Sequence, residues 1–269
     1  MGGMIGVLSY LPTYLQMVYG YSATASGLLL VPITLGMLSS SILSGVLVAR
    51  SDRYKVYPVL GPLVAAGASF WLSRLSTTSP VWEVSAATFV MGAGIGLFFQ
   101  LLVTVVQNAV PARHLGTATS GNNFFREVGV SLGASLIGAA FSSGLTSSLA
   151  DRIGALAAGS DPTVLDSLAR FGDADTSSLT PALVNQLPAA LRDAVASSYA
   201  DALLPIFGWM IPLFAATAVI ALFLPEVPLS RKNGMEQVAD AEGAVAGEAD
   251  GAGAAEGADG HAAERVGEQ

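Results

Sequence analysis

One stretch decides the fold of this chain: FVMGAGIGLFFQLLVTVVQNAVPARHLGTATSGNNFFREVGVSLGASLIGAAFSSG, residues 89–144. It consists of two apolar arms joined by the short basic segment PARHLG, residues 111–116. At about 1.5 Å per helical residue, each arm is long enough to cross a hydrocarbon core of about 30 Å. Polar side chains are costly at that depth, so those in the arms indicate a transport pathway. They are Gln100, Gln107, Asn108, Asn122, Asn123, Arg126 and Glu127.

Composition places the chain among polytopic membrane proteins. Of its 269 residues, 52% are hydrophobic and only 12% are charged, and the mean hydropathy is +0.58. The net charge of −8 does not indicate a basic or nucleic-acid partner, because nine of the twenty acidic residues lie beyond position 233. The predicted partners are therefore the lipid bilayer and a small-molecule substrate.

The chain has few residues suited to metal binding or covalent catalysis. It has no cysteine, which excludes disulfides, thiolate nucleophiles and Cys-ligated metals. The two histidines, His114 and His261, have neither a second histidine nor a carboxylate at ligand spacing, so no metal site is predicted. An intramembrane enzyme is excluded for want of a catalytic group, and we predict no catalytic residue and no cofactor.

The hydropathy pattern predicts a bundle of six spans within residues 1–232. The spans are placed at about residues 1–19, 27–49, 58–75, 81–110, 116–144 and 203–224, with an external loop at 145–202. A four-residue repeat in that loop predicts an amphipathic helix on the membrane surface or over a pore mouth. Its members are Leu183, Leu187, Leu191, Val195 and Tyr199. Residues 233–269 are acidic and rich in Gly and Ala, which predicts a disordered tail.

The distribution of Lys and Arg predicts the orientation. One set of short flanks holds Arg50, Arg53, Lys55, Arg113, Arg231 and Lys232. The short flanks on the other side hold only Arg74. Because cytoplasmic loops carry the excess of basic residues, the first side is predicted to be cytoplasmic. The acidic C-terminal tail is then cytoplasmic as well.

Glycines recur in both arms at spacings that favour close helix packing. Gly92, Gly94 and Gly96 lie in the first arm, and Gly129 and Gly133 lie in the second. The GAGIG run has no preceding strand, so it is not a dinucleotide-binding fingerprint. We therefore expect backbone-to-backbone contacts at these positions, of the kind that lets transporter helices slide.

Three runs of sequence resemble a known family. They are TYLQMVYGYSATASGLLLVP at 13–32, SGVLVARSDRYKVYP at 44–58 and TVVQNAVPARHLGTATSGNNFFREVGVSLGASLIG at 104–138. They are similar to the C-terminal half of a major facilitator superfamily transporter, in the branch of fourteen-span drug:proton antiporters. The similarity extends from about residue 11 to 144 and resumes more weakly at the last span.

The resemblance implies an all-α six-span membrane bundle in the cell membrane, equivalent to the C-terminal half of that fold. It implies efflux of drugs, dyes or antibiotics, driven by a proton gradient without a cofactor. The signatures of the N-terminal half are not matched, and most proton-binding carboxylates of the family are expected there. The chain is thus expected to be a truncated gene product or fragment, or a half-transporter that pairs with an N-terminal half on another polypeptide.

Four polar residues of the first arm are predicted to line the substrate pathway. Gln100, Thr104 and Gln107 fall on one helix face, and Asn108 adjoins them. Uncharged donors and acceptors in an apolar wall suit an amphipathic substrate. The alternative is that these side chains bond to neighbouring helices, or that Gln107 and Asn108 reach the headgroups.

The second arm contains the candidate gate. Arg126 and Glu127 are consecutive and therefore point about 100° apart on a helix, so we do not expect them to pair with each other. Either Arg126 faces a hydrated cavity or gate while Glu127 pairs with a cation elsewhere, or the membrane begins near Val128 and both residues lie at the interface. Asn122 and Asn123, which precede them, are predicted to line the pathway. Glu127 is the candidate for proton-linked titration.

Two further groups have both a functional and a topological interpretation. Tyr10, Tyr14 and Gln16 resemble cavity residues that hold cations over a ring face, or they belong to an interfacial aromatic belt. The loop at 50–57 resembles a weaker internal copy of the family's first signature. In it Arg50, Asp52 and Arg53 either form a cytoplasmic gate or mark topology, and Asp52 stands where the family often has glycine.

Two function classes remain from the sequence. The first is proton-coupled efflux of drugs or amphipathic small molecules. The second is a membrane scaffold or regulatory subunit that transports nothing. Efflux of a fluorescent cationic dye separates them.

Overall fold

The computed structural model describes residues 2–51, 55–108, 110–159, 180–185 and 187–223. This part of the chain is helical and contains no strand. The helices are α1 (Gly2–Tyr19), α2 (Ala23–Leu28), α3 (Val31–Ser51), α4 (Val56–Ser73), α5 (Val81–Asn108), α6 (Leu115–Gly159), α7 (Pro181–Val184) and α8 (Ala189–Leu222), with a 3₁₀ turn at Ala112–His114. The predicted disordered tail at 233–269 lies outside the described residues.

Five helices of the described part are long and apolar enough to cross a membrane. They are Ala23–Val48, Val56–Ser73, Val81–Phe99, Leu115–Ala158 and Ala189–Leu222. The predicted span at 1–19 is not among them, because α1 is only 18 residues long and includes Thr13, Gln16 and three tyrosines. The chain is an all-α membrane bundle in which α1 is a sixth, less apolar helix.

The predicted loop at 145–202 is wrong in its extent. Helix α6 continues through Gly159, and α8 begins at Ala189. The continuation of α6 follows from packing, since Leu145 and Leu149, one turn apart, are both buried. At about 1.5 Å per residue, α6 and α8 extend roughly 68 and 51 Å, well beyond a hydrocarbon core of about 30 Å. Both helices therefore project out of the membrane.

The amphipathic helix predicted for the membrane surface is also wrong. Leu191, Val195 and Tyr199 lie in α8 and are buried in the protein core. Pro188 precedes the first helical residue, and the helix then runs without interruption into the apolar segment. The last three members of the repeat mark the inner face of α8, which packs against neighbouring helices, whereas Leu183 lies in α7 and Leu187 lies between α7 and α8.

The chain divides into two compact units. The first comprises Met1–Val103 and Asn123–Glu226, and the second comprises Thr104–Asn122 and Val227–Gln269. The core of the first unit lies where α4 packs against α8 and α1 packs against α8. Its largest fully buried side chains include Tyr14 and Leu15 of α1, Leu72 of α4, and Leu203 and Phe207 of α8. The described part of the second unit is the end of α5, the 3₁₀ turn and the start of α6.

Glycines allow α5 to pack closely against the backbones of α3 and α4 in the first unit. A Cβ on Gly92 would collide with the carbonyl oxygen of Ile33 in α3, and one on Gly96 would collide with that of Met37. On the opposite side, a Cβ on Gly94 would lie 2.6 Å from the backbone nitrogen of Ala65 in α4. The predicted close packing at Gly92, Gly94 and Gly96 is confirmed, and it leaves α5 in backbone contact with both helices.

Candidate functional site

A groove between α6 and α8 is able to hold a small molecule. Its volume is about 840 Å³, within the range of about 300–1,000 Å³ typical of ligand sites. The α6 wall includes Gly129, Gly133 and Leu136, and the α8 wall includes Trp209 and Thr217. The groove thus runs along two apolar helices.

The groove exists because α6 and α8 touch at one end and diverge toward the other. At the closed end, a Cβ on Gly144 would lie 3.4 Å from the Cα of Ala202. Just beyond, Arg152 Nη2 donates to Asp201 Oδ2 at 2.5 Å, and Ser148 Oγ donates to the same oxygen at 3.3 Å. At the open end, nothing lies within 4 Å of a Cβ built on Gly129. The groove therefore tapers from Gly129 toward Gly144.

Few polar groups face into the groove. The Thr217 hydroxyl donates to the carbonyl of Leu213 at 2.9 Å, so its proton is already used. Pro212 has no N–H, and the carbonyl of Gly208 therefore lacks the usual helical donor four residues on. Both Gly208 and Pro212 line the groove. Its chemistry is that of an apolar slot with one backbone acceptor.

The predicted packing role of the α6 glycines is wrong for Gly129. This residue is exposed and has open space at its Cβ position, and both it and Gly133 line the groove. The G-x-x-x-G spacing alone does not say whether a neighbouring helix is close. Here α8 has already diverged from α6 at this level, so the missing side chains widen the groove.

Arg126 and Glu127 pair with each other, contrary to the expectation from their positions. Nε and Nη2 of Arg126 donate to Oε1 of Glu127 at 3.3 and 3.0 Å. Their Cβ atoms point apart, but the long arginine side chain bends around the exposed helix surface to reach the carboxylate. The guanidinium also lies 5.7 Å from the ring centroid of Phe99. Both side chains are partly solvent-exposed, so the pair itself contributes little to stability.

A sequence model described as Major Facilitator Superfamily matches residues 1–134. The chain belongs to the Major Facilitator Superfamily. With five membrane-capable helices, this major facilitator chain is a multi-pass membrane protein. The α6–α8 groove lies only partly within the matched residues.

Named relatives extend the similarity along the chain. An uncharacterised MFS-type transporter of Mycobacterium tuberculosis is 38% identical over 227 residues, which cover 84% of this chain and 31% of the relative. The multidrug transporter protein MdtP of Bacillus subtilis is 29% identical over 248 residues, covering 87% of this chain and 46% of the relative. A tetracycline resistance determinant of Streptomyces rimosus is 33% identical over 135 residues, which cover 50% of this chain and 39% of the relative. The chain spans less than half the length of each of these relatives.

The aromatic residues predicted for the pathway lie in the helical core of the major facilitator chain. The ring of Tyr10 lies 4.7 Å from that of Phe141, by centroids, and Tyr14 packs edge-on against Tyr19 at 6.0 Å. Tyr14 is buried, whereas Tyr10 and Gln16 are half-buried. None of the three lines the α6–α8 groove.

The other predicted site residues are only partly described. Asp52 and Arg53 lie outside the described residues, as do the side chains of Gln100, Thr104, Gln107 and Asn108 in α5. Arg50 is exposed at the end of α3. On α6, Asn122 is half-buried and Asn123 is exposed. The described residues hold no cluster of three or more His, Asp or Glu side chains suited to a metal ion.

The groove itself was not predicted from the sequence of this major facilitator chain. Two signals were available: the glycine pair Gly129 and Gly133 on α6, and the proline pair Pro205 and Pro212 inside α8. Neither signal identifies α8 as the partner of α6, because the two helices are separated by a long connecting segment. Their divergence is visible only in three dimensions.

Proposed function

We propose that this chain forms one wall of a proton-coupled efflux transporter for drugs or other amphipathic small molecules in the plasma membrane. The names of the Bacillus subtilis and Streptomyces rimosus relatives support export of such compounds. The opposite wall is supplied by sequence equivalent to the remainder of the longer relatives, in the same or another polypeptide. The C-terminal tail is placed in the cytoplasm, on the side of Arg50.

The similarity to a named multidrug transporter carries this proposal, and the polar positions of α5 supply its candidate residues. On one side of the helix, Val84, Ala87 and Met91 are buried in the core. On the other side, Trp82 is 64% exposed and Phe89 is 42% exposed. Position 100 lies eleven residues after Phe89, which is about three full turns, so Gln100 occupies the same face of the helix as Phe89. Gly96 lies on the same face, between Phe89 and Gln100, and packs against Met37 of α3, so this face is open at Trp82 and Phe89 and covered at Gly96.

A helix that is firmly packed over part of its length and carries polar positions beyond that part suits a substrate wall. Contacts of Gly92 and Gly96 with α3, and of Gly94 with α4, hold the axis of α5 in place. Uncharged groups in an apolar surface bind amphipathic molecules without the cost of burying a charge. In this proposal Gln100, Thr104, Gln107 and Asn108 of α5 contribute to the substrate pathway, as do Tyr10 and Gln16 of α1.

Proton coupling is assigned to the Arg126–Glu127 pair. The sequence from Val128 to Ala150 of α6 contains no charged residue, so Glu127 is the acid next to the apolar part of the helix. Protonation of Glu127 would remove the charge that holds the guanidinium of Arg126. Asn122 and Asn123 precede the pair on α6 and provide polar partners for the released arginine.

Efflux of a fluorescent cationic dye tests the function. Energised cells expressing the chain together with an N-terminal half taken from a relative should accumulate less dye than control cells. Collapse of the proton gradient with an uncoupler should restore accumulation. Unchanged accumulation with and without that half would contradict transport and favour a non-transporting membrane protein.

Replacement of Gln100 by Leu tests the role of the α5 face. We expect the resistance to individual drugs to shift by about two- to tenfold, as the loss of one hydrogen bond of about 0.5–1.5 kcal/mol predicts, with the membrane abundance unchanged. The measurement is a panel of minimum inhibitory concentrations. Thr34→Val is the matched control, because Thr34 is an exposed polar residue on α3. Identical drug profiles for Gln100→Leu and the unmodified protein would remove Gln100 from the pathway.

A further inference from the structure

We propose that Phe99 is a positioning residue through which the Arg126–Glu127 pair of α6 acts on α5, the helix that carries the polar pathway positions. This role rests on the transport proposal above, in which the pair binds the coupling proton. It adds the side chain that passes the change of charge from one helix to the other. Phe99 itself contacts neither the substrate nor the proton.

The guanidinium of Arg126 lies between two partners on two helices. On its own helix, Nε and Nη2 donate to Oε1 of Glu127 at 3.3 and 3.0 Å. Its central carbon also lies 5.7 Å from the centroid of the Phe99 ring in α5, within the distance of about 6 Å at which a ring face attracts a cation. The Arg126 side chain is 32% exposed, and that of Glu127 is 64% exposed. The contact with Phe99 therefore joins the ion pair to a second helix.

The other charged residues of α5 and α6 lie far from this contact. Helix α5 carries one charged residue, Glu83, which lies sixteen positions, or about 24 Å along the helix, from Phe99. On α6, the next charged residue after the pair is Asp151, about 36 Å further along. Along these two helices, the balance between the carboxylate of Glu127 and the ring of Phe99 sets the position of the guanidinium.

Protonation of Glu127 changes this balance. A proton taken up from water forms an O–H bond on the carboxylate, which becomes neutral, while Arg126 keeps its charge. The bonds from the guanidinium to the carboxyl group then lose the attraction of an opposite charge. The attraction to the ring depends only on the charge of the arginine and is unchanged. The guanidinium therefore shifts toward Phe99, and the shift acts on α5.

Phe99 lies where α5 passes from its packed part to the pathway positions. Three residues earlier, Gly96 packs against the backbone of α3 at Met37, which holds that turn of the helix in place. Gln100 directly follows Phe99, and consecutive Cβ directions on a helix differ by about 100°. The ring is thus next to the first pathway position but on a different face of α5. A displacement of the ring moves the part of the helix that begins at Gln100.

A double-mutant cycle tests the contact without any transport. Phe99→Leu, Arg126→Gln and the double variant of the full chain are unfolded in detergent micelles, and their unfolding equilibrium constants are compared. We expect the product of the two single effects to exceed the effect of the double variant by about two- to fivefold, the strength of one partly exposed cation–π contact. Single effects that multiply without coupling would overturn the proposal, because Phe99 would then not hold Arg126.

The kinetics of dye transport test the positioning role. Inverted vesicles from cells that express the chain with the N-terminal half used above are assayed for uncoupler-sensitive dye uptake. Phe99→Leu should lower the maximal rate about two- to fivefold, the loss of one such contact, and leave KM unchanged. Phe99→Tyr keeps an aromatic face and should restore the parent rate. A raised KM at the parent rate would place Phe99 in the substrate pathway and overturn the proposal.

Phe70→Leu is the matched control for Phe99→Leu. The guanidinium of Arg74 lies 5.0 Å from the ring of Phe70, but Phe70 lies in α4 and Arg74 caps the same helix. Its loss should leave both the maximal rate and KM unchanged, and equal slowing by the two variants would overturn the role of Phe99. If the parent shows no uncoupler-sensitive uptake, the transport proposal fails and this role fails with it. If the parent transports dye and Phe99→Leu matches it, only the role of Phe99 is overturned.

Discussion

Replacing Gly92 by Ala should destabilise the protein by about 1–3 kcal/mol, the cost of forcing an extra methyl group into a packed site. The added Cβ would collide with the carbonyl oxygen of Ile33, which is backbone of α3 and cannot rotate away. The helices must separate, and the contacts of Gly36 and Gly96 in the same interface are then weakened as well. Unfolding in detergent micelles, followed by circular dichroism, measures the change.

Gly67→Ala is the matched control for Gly92→Ala. Gly67 lies within α4, and nothing is found within 4 Å of its Cβ position. Alanine is a better helix former than glycine by about 1 kcal/mol, so this variant should be as stable as the parent or slightly more stable. If both variants change stability equally, glycine acts through helix propensity and not through the contact between α3 and α5.

Replacing Phe207 by Ala should lower the free energy of unfolding by about 3 kcal/mol, at the lower end of the range for buried aromatic residues. Phe207 is 1% exposed and lies in the core with Leu72 and Leu203. In a membrane, the unfolded side chain remains in an apolar medium, so the loss comes from the cavity and the missing dispersion contacts. Equilibrium unfolding in mixed micelles is the measurement.

Ile220→Ala is the corresponding control in α8. Ile220 is 69% exposed, and it belongs to neither the core nor the groove. Its truncation should change stability by less than about 0.5 kcal/mol. Equal losses for Phe207→Ala and Ile220→Ala would mean that α8 is not packed through the face that contains Phe207.

The sequence predicted the existence of the helices more accurately than the residues at which they end. The starts of α4, α5 and α6 are within two residues of the predicted spans, because each follows a Pro or a polar turn. The distal end of α6 and the start of α8 were missed by more than ten residues. There the side chains are small and polar, and helix continuation depends on burial of Leu145, Leu149 and Leu191 against other helices.

Local rules also failed where a side chain has freedom to bend. The 100° rule for consecutive helix positions predicted that Arg126 would not bond to Glu127, but it describes Cβ directions only. Arginine has enough rotatable bonds to bring Nη2 within 3.0 Å of the neighbouring carboxylate. The pair forms because both side chains lie on a surface that does not constrain them.

What the sequence by itself determined is the class of protein: an all-α membrane bundle with glycine-rich helices. Apolar segments of this length must satisfy their backbone hydrogen bonds internally, and helices do so without information from elsewhere in the chain. Only the tertiary structure decided what each glycine does. Gly92 lies against the backbone of α3, whereas Gly129 lies at the wide end of a groove. The difference depends on whether a distant helix converges or diverges at that level, and spacing along one helix carries no information about that distance.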